Sequence, residues 1–247
     1  MASDNLPWLA EGDPFPGPEQ AWNQDSEAPG LLAIGGALDV ATLVNAYSHG
    51  IFPWFSVGQP VLWWSPDPRM VLRPANFKLH RSLRKTISRF RASPHCEIRV
   101  DSAFESVIQA CASSPRLGQA GTWIVPAMVQ AYTDLHRAGF AHSIETWVDG
   151  KIEGGLYCVA VGNAVFGESM FARSTDASKL ALSALVALCR AHGVALIDCQ
   201  QNTRHLASLG ASEIPRADFL AHIHQAQKDA GPVWQFSPLY WAHVLSA

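Results

Sequence analysis

Three polar side chains in otherwise apolar sequence could carry chemistry: Glu168, Asp198 and Gln200. Glu168 interrupts the apolar and aromatic run 165–171, and the two others follow the apolar run 194–197. Side chains alternate along a strand, so Asp198 and Gln200 should share one face. A carboxylate can take a proton or hold a cation, and an amide can orient either partner. This set therefore predicts acid–base or charge-recognition chemistry.

The segment 163–200 predicts a strand, a loop, a helix and a second strand. Asp176 is a residue type that caps helices, and His192-Gly193 is a typical helix end. A crossover helix places the two flanking strands parallel. Ligands of such sheets bind beyond the carboxyl ends of the strands. The three polar residues are therefore expected to border one cleft.

A structural role for the same residues explains their spacing equally well. Glu168 could form a salt bridge with Arg173, and Asp198 could simply cap the turn that follows it. Cys199, between Asp198 and Gln200, could in principle be a nucleophile. Strand alternation turns it away from Asp198 and no histidine base is adjacent, so a buried thiol is the stronger interpretation.

Composition bounds the class of protein. The 247 residues are 48% hydrophobic and 16% charged, enough for one large domain or a domain with a smaller companion. No apolar run reaches the length of a membrane span, and the N-terminus has neither the basic start nor the apolar core of a signal peptide. The five cysteines lack a CxxC pair and the ten histidines lack metal-site spacing. We therefore expect reduced thiols, a cytoplasmic protein and no metal.

Positive charge is concentrated in one short segment. The net charge is −3, yet no acid occurs between Asp67 and Glu97, where eight of the 18 basic residues lie. A helix is predicted over 77–92 with Leu79, Leu83, Ile87 and Phe90 on one face. The basic residues on its other faces are Arg81, Arg84, Lys85 and Arg89. They form either an ordinary solvated face or a surface for nucleic-acid phosphates.

The remaining patterns predict a mixed sheet flanked by helices. Predicted helices cover 39–48, 102–113, 126–138, 203–209 and 217–229, and predicted strands cover 143–148 and 152–161. Asp149-Gly150 is a hairpin signal, and Gly154-Gly155 predicts a bulge or a close approach. The segment 51–72 is dense in aromatic residues, and Pro66-Asp67-Pro68 predicts a boundary. A mobile loop is expected at 118–123, and a tail at 232–247.

This order of antiparallel meander, helix and parallel strand resembles the GNAT acyltransferase fold. Acetyl-CoA-dependent members hold the cofactor pyrophosphate on a Gly-rich loop at the helix N-terminus. Here the loop 172–178 has no glycine, and Asp176 would place a negative charge at the phosphate position. The resemblance therefore predicts the fold and disfavours a coenzyme A donor.

Residue by residue, the chain is similar to the leucyl/phenylalanyl-tRNA–protein transferase family over most of its length. The matching motifs are GIFPWF at 50–55, LWWSPDPR at 62–69, GTWI at 121–124, HSIE at 142–145, FGESMF at 166–171, ASK at 177–179, LIDCQ at 196–200 and HLASLGA at 205–211. None of the motifs that carry the resemblance lies in the segment 1–30 or in the tail after about 229. One basic position of the family's helix is Ser88 in this chain.

The resemblance implies an α+β protein with a small N-terminal domain, 1–67, and a GNAT-like domain with a mixed sheet flanked by helices, 68–247. It implies transfer of Leu, Phe or, less well, Met from aminoacyl-tRNA to the α-amine of proteins that begin with Arg or Lys, in the bacterial N-degron pathway. The donor is an activated ester, so no cofactor is expected. We further expect no membrane partner and a monomer.

The resemblance also suggests roles for the residues. Asp198, with Gln200 orienting the groups, would draw the proton from the attacking amine, or the ribose 2′-hydroxyl of the terminal adenosine would shuttle it. Glu168 would hold the acceptor's cationic side chain. The remaining candidates fall into three groups. Leu156, Val159, Met170 and Phe171 would form the apolar donor pocket, Trp54 and Trp123 would stack near the adenosine, and Arg81, Arg84, Lys85 and Arg89 would contact tRNA phosphates.

Two other classes of function compete with this one. A small-molecule N-acetyltransferase would use the same fold, although the Gly-rich loop is missing. A non-enzymatic RNA-binding module would use the basic helix and the nine tryptophans. That module leaves Glu168, Asp198 and Gln200 without a role. Trp63 and Trp64 are equally well explained as packing between two parts of the chain.

Overall fold

The computed structural model describes residues 6–114 and 124–246, so the predicted loop 118–123 and Trp123 lie outside the described residues. The first part of the chain forms a four-stranded sheet in the order β1–β2–β4–β3. Its elements are β1 Trp8–Leu9, β2 Leu31–Gly35, α1 Val40–Ser48, β3 Phe52–Pro53 and β4 Leu62–Trp64. A short 3₁₀ helix, Pro18–Gln20, precedes β2.

Helix α1 begins and ends where the sequence predicts. The Asp39 carboxylate accepts a hydrogen bond from the Thr42 amide at 2.8 Å, and the chain turns at Gly50 with a φ of +70°. A β-carbon at Gly50 would lie 2.6 Å from the Leu220 side chain. Glycine is therefore required both by the backbone and by the packing at this turn.

The second sheet has the order β11–β5–β10–β9–β8–β7–β6. Its strands are β5 Arg69–Leu72, β6 Cys96–Val100, β7 Ala141–Val148, β8 Lys151–Val161, β9 Ala164–Ala172, β10 Ile197–Gln200 and β11 Ser212–Ile214. The helices are α2 Arg81–Ala92, α3 Phe104–Ser113, α4 Pro126–Arg137, α5 Ala177–Ala191, α6 Arg204–Ser208, α7 Arg216–Ala226 and α8 Ala242–Leu245. Two 3₁₀ helices, Pro74–Asn76 and Pro238–Trp241, accompany them.

The predicted meander and crossover are confirmed. Strands β7, β8 and β9 are antiparallel neighbours, and β10 pairs with β9 in parallel after α5. The β7–β8 turn uses positive φ at Asp149 and Gly150. The prediction for Gly154 is also correct, because a β-carbon there would lie 2.6 Å from the Ala177 β-carbon and the β7–β8 register shifts beside it. This close approach seats α5 on the sheet.

The sequence prediction missed the strands on both outer sides of the meander. β5 is antiparallel to both β10 and β11, and β6 is antiparallel to β7. β5 directly follows Pro66-Asp67-Pro68, where the sequence predicts a boundary, and no strand is predicted there. Helix α2 starts at Arg81 rather than 77, because the chain before it is extended at Phe77 and His80 and the Lys78 amide donates to the Leu209 carbonyl at 2.9 Å. The predicted tail contains helix α8.

Two clusters of buried residues cover the two faces of the second sheet. One face packs against α2, α5 and the C-terminal segment. The other packs against α1, α3, α4 and α7. Tyr47 and Leu43 of α1 belong to the same cluster as Tyr132 and Phe166. The α+β class and the mixed sheet are therefore confirmed, whereas a domain boundary at 67/68 stays a prediction. No helix within the described ranges is long and apolar enough to cross a membrane.

Candidate active site

Strands β9 and β10 separate to open a cavity. They pair only through Val165 with Ile197 and Phe166 with Asp198. Beyond these pairs the strands diverge, and the cavity between them has a volume of about 940 Å³. Its lining includes Glu168 and Gln200 but not the fully buried Asp198, so two of the three residues that were expected to border one cleft do so.

A β-bulge determines where Glu168 points. Tyr157 lies opposite Ser169 and Cys158 lies opposite Gly167, so Glu168 is the extra residue of β9. The bulge changes the alternation of the strand. Met170 therefore packs on the α5 side, while Phe171 returns to the cluster that contains Phe166.

The Glu168 carboxyl is held by uncharged donors. Tyr47 Oη donates to Oε1 at 2.7 Å, and Gln200 Nε2 donates to the same oxygen at 2.8 Å. Tyr132 Oη lies 3.4 Å from Oε2. Arg173 instead donates to the Ile152 carbonyl, so the predicted alternative of a Glu168–Arg173 salt bridge is wrong.

This environment favours the protonated form of Glu168. Burial raises the pKa of Glu168 from 4.5 to about 8. The Tyr47 hydrogen bond lowers this pKa, the charge of Asp198 raises it, and Arg69 lowers it. At neutral pH the carboxyl is therefore mainly neutral, and it can ionise when a cation approaches.

Asp198 has a charged partner on the neighbouring strand. Its Oδ1 accepts from Arg69 Nε at 2.8 Å and its Oδ2 accepts from Arg69 Nη2 at 2.6 Å. Both side chains have an exposed fraction of 0%. Arg69 Nη1 also donates to the Gly50 carbonyl at 3.1 Å, and its guanidinium lies between the rings of Phe52 and Phe219. Asp198 is therefore locked in a bidentate ion pair beneath the cavity.

Gln200 connects the two carboxyl groups. Its backbone has a φ of +61°, and its amide N–H donates to Asp198 Oδ1 at 2.8 Å. The prediction that Asp198 caps the following turn is thus confirmed. The Gln200 side chain then reaches Glu168 on the cavity wall. The backbone of Gln200 therefore contacts Asp198, and its side chain contacts Glu168.

The apolar wall includes two of the four predicted pocket residues. Leu156 and Met170 line the cavity with other residues of β10, α5 and α6: Leu182, Leu185, Ile197, Cys199 and Leu206. Val159 and Phe171 do not line it. Both are buried in the opposite cluster, where Val159 lies across from Phe166 and Phe171 is turned by the β9 bulge.

The tryptophans divide into two groups. Trp54 lines the cavity, as predicted for a stacking residue, with its ring edge-on to Trp64 at 5.4 Å. Trp63 is fully buried and donates to the Gly35 carbonyl, and Trp64 donates to the Trp54 carbonyl. Packing is therefore the role of Trp63 and Trp64. Trp123 lies outside the described residues.

Three of the four predicted tRNA-binding residues form one exposed stripe. Arg81, Lys85 and Arg89 recur at four-residue spacing along α2 and are exposed. Arg84 is half-buried and donates to the Leu245 carbonyl. Thr86 of the same helix donates to the Asp176 carboxylate at 3.3 Å, which brings α2 beside the N-terminus of α5.

Two family models match the chain. The leucyl/phenylalanyl-tRNA protein transferase model matches residues 71–224, and the model of that family's N-terminal domain matches residues 36–67. The chain belongs to the leucyl/phenylalanyl-tRNA protein transferase family. The expected family resemblance is thereby confirmed.

Relatives named leucyl/phenylalanyl-tRNA–protein transferase match along nearly their whole length. One from Polaromonas sp. strain JS666 is 68% identical and is matched over 98% of this chain and 95% of the relative. One from Albidiferax ferrireducens is 62% identical over the same shares of the two chains. A solved GCN5-related N-acetyltransferase from Kribbella flavida covers 68% of this chain and 58% of that chain, with 11% identity and a TM-score of 0.34.

One family motif proves to be structural. In HSIE, the buried Glu145 accepts from the Ala103 amide at 2.9 Å, at the N-terminus of α3, and from Ser143 Oγ at 2.7 Å. His142 Nδ1 donates to Asp101 Oδ2 at 2.7 Å, and the His142 ring stacks on Trp234. This motif therefore anchors α3 and the C-terminal segment to the sheet.

The sequence interpretation missed three residues of the site. Arg69 was quoted in a motif without a role, although an arginine in a family motif beside a buried strand signals an ion-pair partner. Tyr47 lies in the predicted helix 39–48 and Tyr132 in the predicted helix 126–138, and neither is among the candidate site residues. Their hydroxyl groups were the available signal, because a buried tyrosine needs a hydrogen-bond partner.

Proposed function

We propose that this protein is an aminoacyltransferase that moves leucine or phenylalanine, and less well methionine, from aminoacyl-tRNA to the α-amine of proteins that begin with Arg or Lys. The N-degron degradation pathway would use the product. The observation that carries the proposal is one cavity with an apolar wall and a carboxyl group able to ionise at its edge. Membership of the family and the exposed basic stripe on α2 support it.

The apolar wall suits the donor's side chain. Leu156 and Met170 from the sheet face Leu182 and Leu185 from α5 across the cavity. A hydrophobic wall discriminates by about 1–3 kcal/mol per methylene, which favours Leu and Phe over smaller side chains. Trp54 at the cavity offers a ring on which the terminal adenine can stack.

Glu168 suits the acceptor's cationic side chain. A carboxylate is the natural partner of a guanidinium or ammonium group. Because burial has raised its pKa to about 8, binding of a cation at pH 7 should release a proton from Glu168. Glu168→Lys should therefore raise the KM for the acceptor and leave the KM for tRNA unchanged.

The attacking α-amine must lose a proton, and its ordinary pKa is about 7.7–8.0. Asp198 is fully paired and buried, so its proposed contribution to this step is made through Gln200. Gln200 Nε2 is engaged by Glu168, and within the described residues no hydrogen bond engages its amide oxygen. That oxygen would accept from the incoming amine, while the ribose 2′-hydroxyl remains the alternative route for the proton.

The α2 stripe is proposed to contact the phosphates of the tRNA acceptor stem. Such contacts recognise shape and charge rather than sequence, which suits an enzyme that accepts several tRNAs. Replacing Arg81, Lys85 and Arg89 by alanine should weaken tRNA binding. The slope of the logarithm of the binding constant against the logarithm of the salt concentration should become less steep by about 0.7–0.9 per lost phosphate contact. Arg137→Ala is the matched control, because this exposed arginine on α4 pairs with Glu105. An unchanged salt slope in the triple variant would remove α2 from the binding surface.

A transfer assay tests the reaction itself. The protein is mixed with radiolabelled leucyl-tRNA and a peptide that begins with Arg, beside the same peptide with an acetylated α-amine. Label on the free-amine peptide alone is the expected result. If no label is transferred but tRNA binding is salt-sensitive, the protein is an RNA-binding protein without this activity. If label is transferred from acetyl-CoA instead, the protein is an acetyltransferase.

A further inference from the structure

Two tyrosines from different helices meet at the Glu168 carboxyl. Tyr47 comes from α1 and Tyr132 from α4, and both side chains are fully buried. Their hydroxyl groups are hydrogen-bonded to each other, and each also reaches one oxygen of Glu168. Burial raises the pKa of both tyrosines well above the ordinary value, so both hydroxyl groups keep their protons near neutral pH.

The same contacts tie the N-terminal helix to the base of the site. The Gly50 amide donates to the Tyr47 carbonyl at 3.0 Å, and the Gly50 carbonyl accepts from Arg69. Arg69 pairs with Asp198, which is linked through Gln200 to Glu168 and back to Tyr47. The hydrogen bonds thus form a closed ring, and a displacement of α1 would move both carboxyl groups.

We propose that Tyr47 and Tyr132 are positioning residues of the reaction: they aim the Glu168 carboxyl into the cavity and stabilise its ionised form when a cationic acceptor binds. This inference rests on the proposed role of Glu168 in holding the acceptor's side chain. It assigns to helix α1, far from Glu168 in sequence, a direct part in recognition of the N-terminal Arg or Lys.

The electrostatic argument depends on every group that faces Glu168. Asp198 of β10 raises the pKa of Glu168, and Arg69 of β5 lowers it. On the cavity wall, burial lowers the pKa of His205, so this side chain is mostly neutral near pH 7. The titratable groups that act on the carboxyl are Tyr47, Asp198, Tyr132 and Arg69, and Tyr157 and His205 line the same cavity. Of these, Tyr47 donates directly to the carboxyl, whereas the single proton of the Tyr132 hydroxyl goes either to Tyr47 or, over 3.4 Å, to Glu168.

The sign of the effect follows from the hydrogen bonds. The Tyr47 hydroxyl donates to the carboxylate, which lowers the pKa of Glu168. Loss of one hydrogen bond to a charged group should therefore raise that pKa by about one unit. The ionised fraction would then fall about tenfold at pH 7 and less than twofold at pH 9.5.

The experiment compares acceptor KM in wild type, Tyr47→Phe and Tyr132→Phe from pH 6.5 to 9.5. An Arg-initiated peptide is used because its side chain stays charged, and the titration of its α-amine cancels in the ratio of variant to wild type. We expect the acceptor KM of Tyr47→Phe, divided by that of wild type, to fall from about 10 at pH 7 to near 1 at pH 9.5. The longer bond of Tyr132 should give a smaller change with the same direction. The KM for aminoacyl-tRNA should not change.

Tyr240→Phe is the matched control, because Tyr240 lies in the C-terminal segment against His192. Its ratio should be one at every pH. A Tyr47→Phe ratio that is constant over the pH range would mean that the tyrosine only supports the fold, and this would overturn the proposal. If Tyr47→Phe does not fold, Tyr132→Phe supplies the same comparison.

A direct titration separates this inference from the proposed function. The carboxyl carbon of Glu168 is followed by ¹³C NMR in the intact protein and identified by its loss in Glu168→Gln. A midpoint that rises in Tyr47→Phe supports the inference, and an unchanged midpoint overturns it. If the midpoint rises while Glu168→Gln leaves the acceptor KM unchanged, the tyrosines tune the carboxyl as inferred but Glu168 is not the acceptor site.

Discussion

Asp198 and Glu168 lie on adjacent strands and have opposite electrostatic surroundings. Asp198 meets a guanidinium that engages both of its oxygens, and neither partner is exposed. Glu168 meets two phenols and one amide, and burial raises its pKa to about 8. The chemistry of the partner, more than the depth of burial, therefore decides which carboxyl has a counter-charge within the protein.

The different partners of Asp198 and Glu168 suit the two residues to different roles, structural support for Asp198 and substrate recognition for Glu168. The Asp198 carboxylate accepts three hydrogen bonds within a fully buried ion pair, so it holds its neighbours in place and has little capacity left for a substrate. The half-buried Glu168 carboxyl lines the cavity with neutral hydrogen-bond partners, and an acceptor that begins with Arg or Lys can supply a cation to it. Gln200 joins the two, so the geometry of one carboxyl depends on the other.

The largest effect is expected when the ion pair is broken. Asp198→Asn leaves Arg69 buried without its counter-charge, which should cost about 3–5 kcal/mol of unfolding free energy. Urea denaturation measures this loss. The double variant Arg69→Met/Asp198→Leu should be less destabilised than the sum of its single variants. If Asp198→Asn were as stable and as active as wild type, the supporting role and the proton role of Asp198 would both be wrong.

Glu168→Gln should instead produce a loss of function with a pH-dependent gain in stability. The folded protein binds the Glu168 proton more tightly than the unfolded chain, because burial raises its pKa from 4.5 to about 8. The stability of wild type therefore falls across that window. Relative to wild type, the variant should gain on the order of 3 kcal/mol from pH 5 to pH 8 and nothing more above it. Denaturation at several pH values checks the trend, and a flat difference contradicts the raised pKa.

The link between the two carboxyls can be cut with a smaller effect. Gln200→Asn keeps an amide and suits the left-handed backbone, but its side chain is one methylene too short to reach Glu168. We expect unchanged stability and a loss of about tenfold to a hundredfold in kcat/KM for the acceptor. Transfer kinetics at saturating aminoacyl-tRNA provide the measurement. Full activity would show that Asp198 and Glu168 work independently of Gln200.

The smallest effect is expected at Cys199, between the two linked residues. Its side chain packs on the α5 side, and burial strongly raises the pKa of its thiol. Cys199→Ala should keep transfer within about twofold and lower stability by about 1 kcal/mol. A loss of activity beyond tenfold, with stability retained, would support a thiol nucleophile.

The linear pattern of the chain was sufficient for the central elements. The turn residues at 149–150 and the cap of α1 act through contacts between residues close in sequence. The apolar periodicity of α5 predicts a buried helix without knowledge of the elements that pack against it. β5 was missed because a four-residue strand after prolines carries little periodic signal. It becomes a strand by pairing with β10 and β11, which are distant in sequence. Asp176 stands before α5 as predicted, but its carboxylate bonds Lys179 instead of capping the helix.

Residue types and short spacings were enough to predict the family, the order of the central meander, crossover helix and parallel strand, and the three polar residues near the cleft. The electrostatic surroundings of the two carboxyl groups became known from the folded chain. The partners that set these surroundings, Arg69 for Asp198 and Tyr47 and Tyr132 for Glu168, are brought together by packing of distant segments. Desolvation and hydrogen bonding are properties of that packing, and no local pattern encodes them.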